Sequence, residues 1–251
     1  MLSTYELLIE IDKKKKKVQN SPDTYLKKSH QVRKNLRGLA DVHSFWLENP
    51  DLRKRILEEQ KESDARRLKQ RSRKYVKHIV DAWNYLSRVD DGNGHYNFLD
   101  PNTIIKLGEL IGPNNQGFRS GRVRINRFRF IPPNYVKVPE LVDKFCYELK
   151  QSDYHPIEAA AMVHLELTGI QPFVDGNKRV SRLLQDKILD CYDYPPAFIH
   201  SGERQVYLDL LDQALIAKQD NDLVYQRPFF DYIAGKVNTA LDEIIDDLKI
   251  N

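Results

Sequence analysis

The stretch QPFVDGNKRVSR, residues 171–182, decides the reading of this chain. It sets Asp175, a Gly-Asn turn and the cations Lys178, Arg179 and Arg182 between two apolar helical patterns. Upstream, Pro156 to Thr168 reads as a helix. Proline holds its first position, Glu158 its first turn, and Gly169 stands where a left-handed C-terminal residue is wanted. Downstream, Val180, Leu183, Leu184, Ile188 and Leu189 recur at helical spacing. A helix that begins near Asn177–Arg179 turns its free N–H groups and positive dipole end toward the loop. Gly176 permits unusual dihedrals and close backbone approach, so the amides can curl around an anion. Asn177 adds a donor, and Arg179 and Arg182 add fixed charge suited to phosphate oxygens. Asp175 supplies a carboxylate of the kind that holds Mg²⁺ beside phosphates. Together these parts describe a nucleotide polyphosphate site with a metal; singly, each is a capped turn.

The flanks are mostly helical. From Asp51 to Leu86, Leu52, Ile56, Leu68, Tyr75, Ile79 and Trp83 recur at three- and four-residue intervals. Asp90-Asp91-Gly92-Asn93-Gly94 breaks the pattern as a turn, without the closing Glu of a calcium loop. Asp100-Pro101 predicts a helix start running to about Leu110. Further helices are expected over Pro139–Gln151 and around 203–218 and 228–249. GFRSGRVRINRFRFIPPN, residues 117–134, alternates instead: Val123, Ile125, Phe128 and Phe130 lie among arginines, with a turn at Asn126-Arg127. This predicts a short β-hairpin flap in an otherwise all-α protein.

At 251 residues, 41% hydrophobic and 30% charged, the chain has the makings of a real core. Cys146 and Cys191 do not make a disulfide framework, which sets the expectation of a reducing cytoplasm. Leu7-Leu8-Ile9 is flanked by Glu6 and Glu10 and followed by lysines, the wrong order for a signal peptide, and no run approaches a membrane span. The net charge of +4 hides an asymmetry: residues 1–80 carry 21 Lys+Arg against 11 Asp+Glu. A nucleic-acid or acidic partner is one reading of that excess. A solvated helix face is the plainer one, because the charges interleave with apolar residues and no nucleic-acid motif accompanies them. Lys13–Lys17 is expected in a loop or at a helix end.

The 171–182 stretch resembles the signature of Fic-domain proteins, His-Pro-Phe-x-Asp-Gly-Asn-Gly-Arg-x-x-Arg. It matches at Pro172, Phe173, Asp175, Gly176, Asn177, Arg179 and Arg182. His164 stands seven residues before Gln171, GFRSGRVRI followed by FIPP resembles the family's flap, and Arg204-Gln205-Val206-Tyr207-Leu208 resembles a later segment. The likeness covers roughly 80–240. It implies a Fic-type helical domain over 81–251 behind a basic helical region, 1–80. The implied activity is transfer of AMP from ATP, with Mg²⁺, to a Ser, Thr or Tyr hydroxyl of a target protein. By that likeness Asp175 holds the metal, while Gly176, Asn177, Lys178 and Arg179 cradle the phosphates. Arg182 takes the γ-phosphate, and Val123, Arg124 and Ile125 present the target by strand pairing. A homodimer is admitted; nucleic acid and membrane are not expected partners.

Two positions depart from the pattern. Gln171 occupies the place of the family's catalytic His, and an amide has no protonation state to lend near neutral pH. Catalysis is therefore expected to be lost or impaired, with a non-catalytic ATP-binding or protein-interaction module as the alternative. His164 is expected to be a buried structural histidine. Lys178 stands where Gly is frequent, as in a toxin branch with Asn-Lys-Arg that transfers phosphate instead. Finally, Ser44-Phe45-Trp46-Leu47-Glu48-Asn49 resembles the inhibitory Ser/Thr-x-x-x-Glu-Gly/Asn pattern of many relatives, in a helix expected near 41–49. Glu48 would then pair with Arg182 and block the γ-phosphate. Pro50 directly after it also suits a plain helix end.

Overall fold

Two helices that are buried along nearly their whole length form the centre. They are designated α6 (Pro156–Ile170) and α7 (Asn177–Cys191), and they pack on each other as an antiparallel pair. α6 is apolar all round, from Ile157 through Ala159, Ala160, Ala161 and Val163 to Leu167, which suits a helix covered on every side. The computed structural model describes residues 4–51, 62–90, 96–220 and 222–249. Among them the remaining helices are α1 (Thr4–Gln19), α2 (Asp23–Glu48), α3 (Glu62–Leu86), α4 (Pro101–Ile111), α5 (Val138–Lys150), α8 (Arg204–Gln219) and α9 (Leu223–Leu248). Short 3₁₀ turns at Tyr135–Lys137 and Ser201–Glu203 precede α5 and α8.

Local chemistry starts these helices. The Asp100 carboxylate accepts from Asn102 N (2.9 Å) and Thr103 N (3.2 Å), with Pro101 at the first position. His155 Nδ1 accepts from Ile157 N ahead of α6. α4 lies on α7, α8 and α9 pair, and α1 runs along α9. α2 spans the assembly, touching α3, α7 and α9. Leu8 and Ile11 of α1, Phe45 and Leu47 of α2 and Ile79 of α3 share one buried cluster with the central pair. Arg37 of α2 clamps that packing: it pairs with Asp41 and with Asp186 of α7, and its guanidinium lies 4.4 Å from the Trp83 ring. Phe173 is fully buried against Gly108 of α4, where an added Cβ would lie 2.3 Å from the ring. Burying such a ring contributes roughly 2–3 kcal/mol.

The all-α expectation is met, but the hairpin is not formed. No strand occurs among the described residues, and 117–134 is an irregular segment with its turn at Asn126-Arg127. On its second arm two backbone donors are drawn away from pairing: Asp212 Oδ1 of α8 accepts from both Arg129 N (3.1 Å) and Phe130 N (3.2 Å). Gly169 is likewise not the left-handed residue. It sits inside α6 facing Leu215, where a Cβ would come within 2.9 Å, and Gln171 takes the left-handed conformation instead. Of the two places expected for Lys13–Lys17, the helix end is the one found: the run closes α1, with Lys16 and Lys17 in its last turn, Lys14 paired with Glu10 (2.8 Å) and Asp242 (2.6 Å), and Lys15 4.1 Å over the Tyr194 ring. The periodic stretch after Asp51 enters residues 52–61, and the turn expected over Asp90–Gly94 enters 91–94; those residues lie outside the described ones. Cys146 is buried and Cys191 half-buried, and the two do not form a disulfide. Among the described residues no helix is long and apolar enough to cross a membrane.

Candidate functional site

The loop between α6 and α7 is held by amide groups at both ends. Gln171 adopts φ 51° and ψ 63° and donates its N–H to Leu167 O, so it ends α6 in the left-handed region. Its side chain folds inward: Nε2 donates to Thr168 O (2.7 Å), and Oε1 accepts from Asn177 Nδ2 (2.9 Å). Asn177 also donates to Phe173 O (2.9 Å) and accepts from Phe173 N (2.8 Å), closing the loop on itself. Asn115 supports it from below, donating to Gly108 O and Asp175 O, each at 2.9 Å. Gly176 has φ 90°, and a Cβ there would fall 2.6 Å from Ile111 Cγ2, so conformation and space both demand glycine. Among the described residues no side chain caps α7 at Gly176, which leaves the first-turn N–H groups for another acceptor.

That terminus opens into a cavity of about 360 Å³ lined by Gln171, Asp175, Gly176, Asn177, Lys178 and Arg179 from the loop and helix. Glu48 and Asn49 close one side, Arg204 and Leu208 another, and Arg124, Ile125 and Asn126 of the flap a third. The predicted phosphate-cradling residues are thus brought together. Of the predicted flap residues, Arg124 and Ile125 reach the cavity wall, and Val123 is half-buried beside them. Asp175 is exposed; its carboxylate accepts from Arg179 Nη2 and Gly176 N, each at 2.7 Å. Among the described residues no group of three or more His, Cys, Asp or Glu is placed to hold a metal ion. A lone exposed carboxylate at a cationic anion cup fits a Mg²⁺ that arrives with phosphates, not one caged by the protein.

Glu48 ends α2 and reaches across the cavity mouth. Its carboxylate lies 2.9 Å from Arg182 Nη2 and 3.1 Å from Lys178 Nζ. Arg182 is buried with all three of its nitrogens engaged: Nε donates to Ser44 Oγ (3.0 Å), Nη2 also to Ser44 O (3.1 Å), and Nη1 to Tyr207 Oη (3.0 Å). Tyr207 Oη meets His164 Nε2 (2.9 Å), whose other nitrogen faces Gln185 Oε1 (2.7 Å). Burial pushes His164 down to about 3, so this histidine is a neutral core residue well behind the loop. Arg204 Nε donates to Leu47 O (2.6 Å), fixing the end of α2 from the far side. Pro50 does not disturb the contact, because α2 stops at Glu48 with Asn49 as its C-cap.

Burial works against an ionised Glu48, but Lys178 and Arg182 outweigh it and hold the carboxyl at about 2 against its ordinary 4.5. The sign follows: a carboxylate depressed in the fold stabilises it above the unfolded value and loses that contribution as pH falls toward 2. The chain is therefore expected to melt above its Glu48→Gln variant at pH 7. That difference should be constant down to about pH 5 and shrink between about 4.5 and 2. Melting curves across that range check it; a gap that closes already near pH 6 refutes the charge-pair account.

Three contributors escaped the sequence reading. In the sequence Ser44 is only the first residue of a pattern, yet its hydroxyl and carbonyl both hold Arg182. Asp212 organises the flap from α8. Arg119 is buried beneath the loop, donating through Nε to Gln171 O at 2.6 Å. In sequence it is one of five arginines in 117–134, and only its burial sets it apart.

Residues 98–189 match the Fic/DOC family. A "Protein adenylyltransferase Fic" from Aedes aegypti is 40% identical over 89 residues, 36% of this chain and 16% of that protein. Its namesake from Drosophila melanogaster is 36% identical over 115 residues, 45% of this chain and 22% of that protein. The match spans about a fifth of the length of these relatives. In three dimensions, Fic-1 (residues 134–508) from C. elegans superposes with a TM-score of 0.72 at 20% identity, covering 98% of this chain and 72% of that one. A Fic domain containing signaling protein from Bacteroides thetaiotaomicron gives 0.73 at 21% identity, covering 97% and 98%.

Proposed function

We propose, from the match of residues 98–189 to the Fic/DOC family, that this chain is a protein adenylyltransferase whose transfer step is impaired by Gln171 and whose site is latched by Glu48. The observation that carries this reading is the occupant of the cup. Glu48, 134 residues from Arg182 in sequence, sits as an anion on Arg182 and Lys178 at the open N-terminus of α7. A site that binds one anion from its own chain is suited to bind a phosphate in its place. In this reading ATP lays its phosphates along Gly176, Asn177, Lys178 and Arg179, and the terminal phosphate displaces Glu48 from Arg182. Asp175 would hold Mg²⁺, which when bound supplies charge neutralisation along the phosphate chain.

In the transfer, the oxygen of a target hydroxyl bonds to the α-phosphorus, the α–β anhydride bond breaks, and pyrophosphate leaves. The hydroxyl proton needs an acceptor, and Gln171 offers none; both ends of its amide are already engaged by Thr168 and Asn177. The same engagement favours a second reading, a non-catalytic ATP-binding module. α-Labelled and γ-labelled ATP, given to the Glu48→Gly variant with lysate protein, separate the cases. Protein label from the α position supports AMP transfer. Label from γ alone supports the phosphotransfer variant, and neither label with measurable ATP binding supports the module.

A further inference from the structure

Among the described residues Arg119 is buried without a carboxylate partner, and its donors go to main-chain oxygens from three separate segments. Nε donates to Gln171 O (2.6 Å), Nη1 to Gly121 O (2.7 Å) and Nη2 to Pro133 O (2.6 Å) and, more weakly, Ile170 O (3.5 Å). Its own N–H donates to Pro172 O at 2.8 Å. Gly121 and Pro133 bracket the flap at its two ends, and 170–172 is the junction where α6 gives way to the loop. One planar guanidinium therefore ties both roots of the flap to the peptide units around residue 171. Burying an uncompensated cation is expensive, and the negative dipole end of α6 offsets only part of it. The arrangement also holds Gln171 in its left-handed conformation, because Arg119 grips the carbonyls of 171 and 172 on either side of the turn.

We propose that Arg119 is a positioning residue that registers the flap, and any protein segment seated on it, against the side chain at position 171. The inference deepens the adenylyltransferase reading and rests on it for its catalytic consequence, though not for its structural one. Lysine keeps the charge but lacks the planar fork, so it cannot span all three segments.

Two measurements test the idea on the full chain. The first is hydrogen exchange of Arg119→Lys without any ligand. Amides of 120–133 and 171–176 are expected to exchange about tenfold faster or more, with α6, α7 and α9 unchanged. The second is label transfer from α-labelled ATP to a fixed amount of lysate protein, in a background of Gln171→His with Glu48→Gly. Arg119→Lys should lower transfer by on the order of 10²-fold, the cost of a misplaced nucleophile, while affinity for ATP with Mg²⁺ stays within about twofold. Unchanged exchange in both segments overturns the proposal, as does a parallel loss of transfer and ATP affinity, which would make Arg119 part of the nucleotide site. A background that transfers no label sinks the adenylyltransferase reading alone, and the exchange result then decides Arg119 by itself.

Discussion

Replacing Gln171 by histidine is expected to raise transfer of α-phosphate label by about 10² to 10⁴, the usual worth of a general base. The surroundings accept the exchange. Histidine is among the side chains that tolerate the left-handed region, and Gln171 already holds φ 51° there. Thr168 O and the Asn177 amide, which now engage the two ends of the glutamine, remain to orient an imidazole. The gain should also carry a signature that a packing improvement lacks: transfer rising with pH through about 6.5, as the imidazole becomes neutral and able to take a proton. Gln171→Ala is the control and should stay near the parent. A histidine variant as inert as the alanine variant, in a Glu48→Gly background that binds ATP, would end the case for a dormant transferase.

The loop and its two helices were legible because their chemistry is local. Gly176 and Asn177 interrupt two periodic apolar runs, and glycine at that point is required by φ and by Ile111 together. Local rules failed where a residue serves a distant partner. Gly169 has the look of a helix terminator, but its missing side chain makes room for Leu215, and the left-handed turn passes to Gln171. The alternation of 123–130 reads as two strands; two of the donors on the second, Arg129 N and Phe130 N, are instead gathered by one carboxylate, Asp212, more than 80 residues on. Glu48 and Arg182 could be matched only through a resembling pattern, since periodicity says which face a residue occupies and nothing about which helix it meets. Arg119 gave no signal at all, because an arginine that binds carbonyls has the same spelling as four neighbours that face water or the cavity.

Glu48→Gly is expected to move stability and ligand affinity in opposite directions. In the ligand-free chain the substitution strips a carboxylate from buried Arg182 and from Lys178, leaving Ser44 and Tyr207 as the remaining partners of the arginine. Removing one member of a buried pair costs about 3 kcal/mol or more, which at about 2–4 °C per kcal/mol for a chain of this size lowers the melting temperature by about 6–12 °C. The same contact must be broken before a terminal phosphate reaches Arg182. A latch worth about 3 kcal/mol leaves the open form at roughly one percent, so its removal should tighten ATP binding by about 10²-fold. Saturating ATP should accordingly raise the melting temperature of the variant far more than that of the parent. Calorimetric titration and thermal melts give the two numbers separately. One free energy governs both, so a variant that melts lower yet binds ATP no better would show that Glu48 braces Arg182 as part of the core and guards nothing.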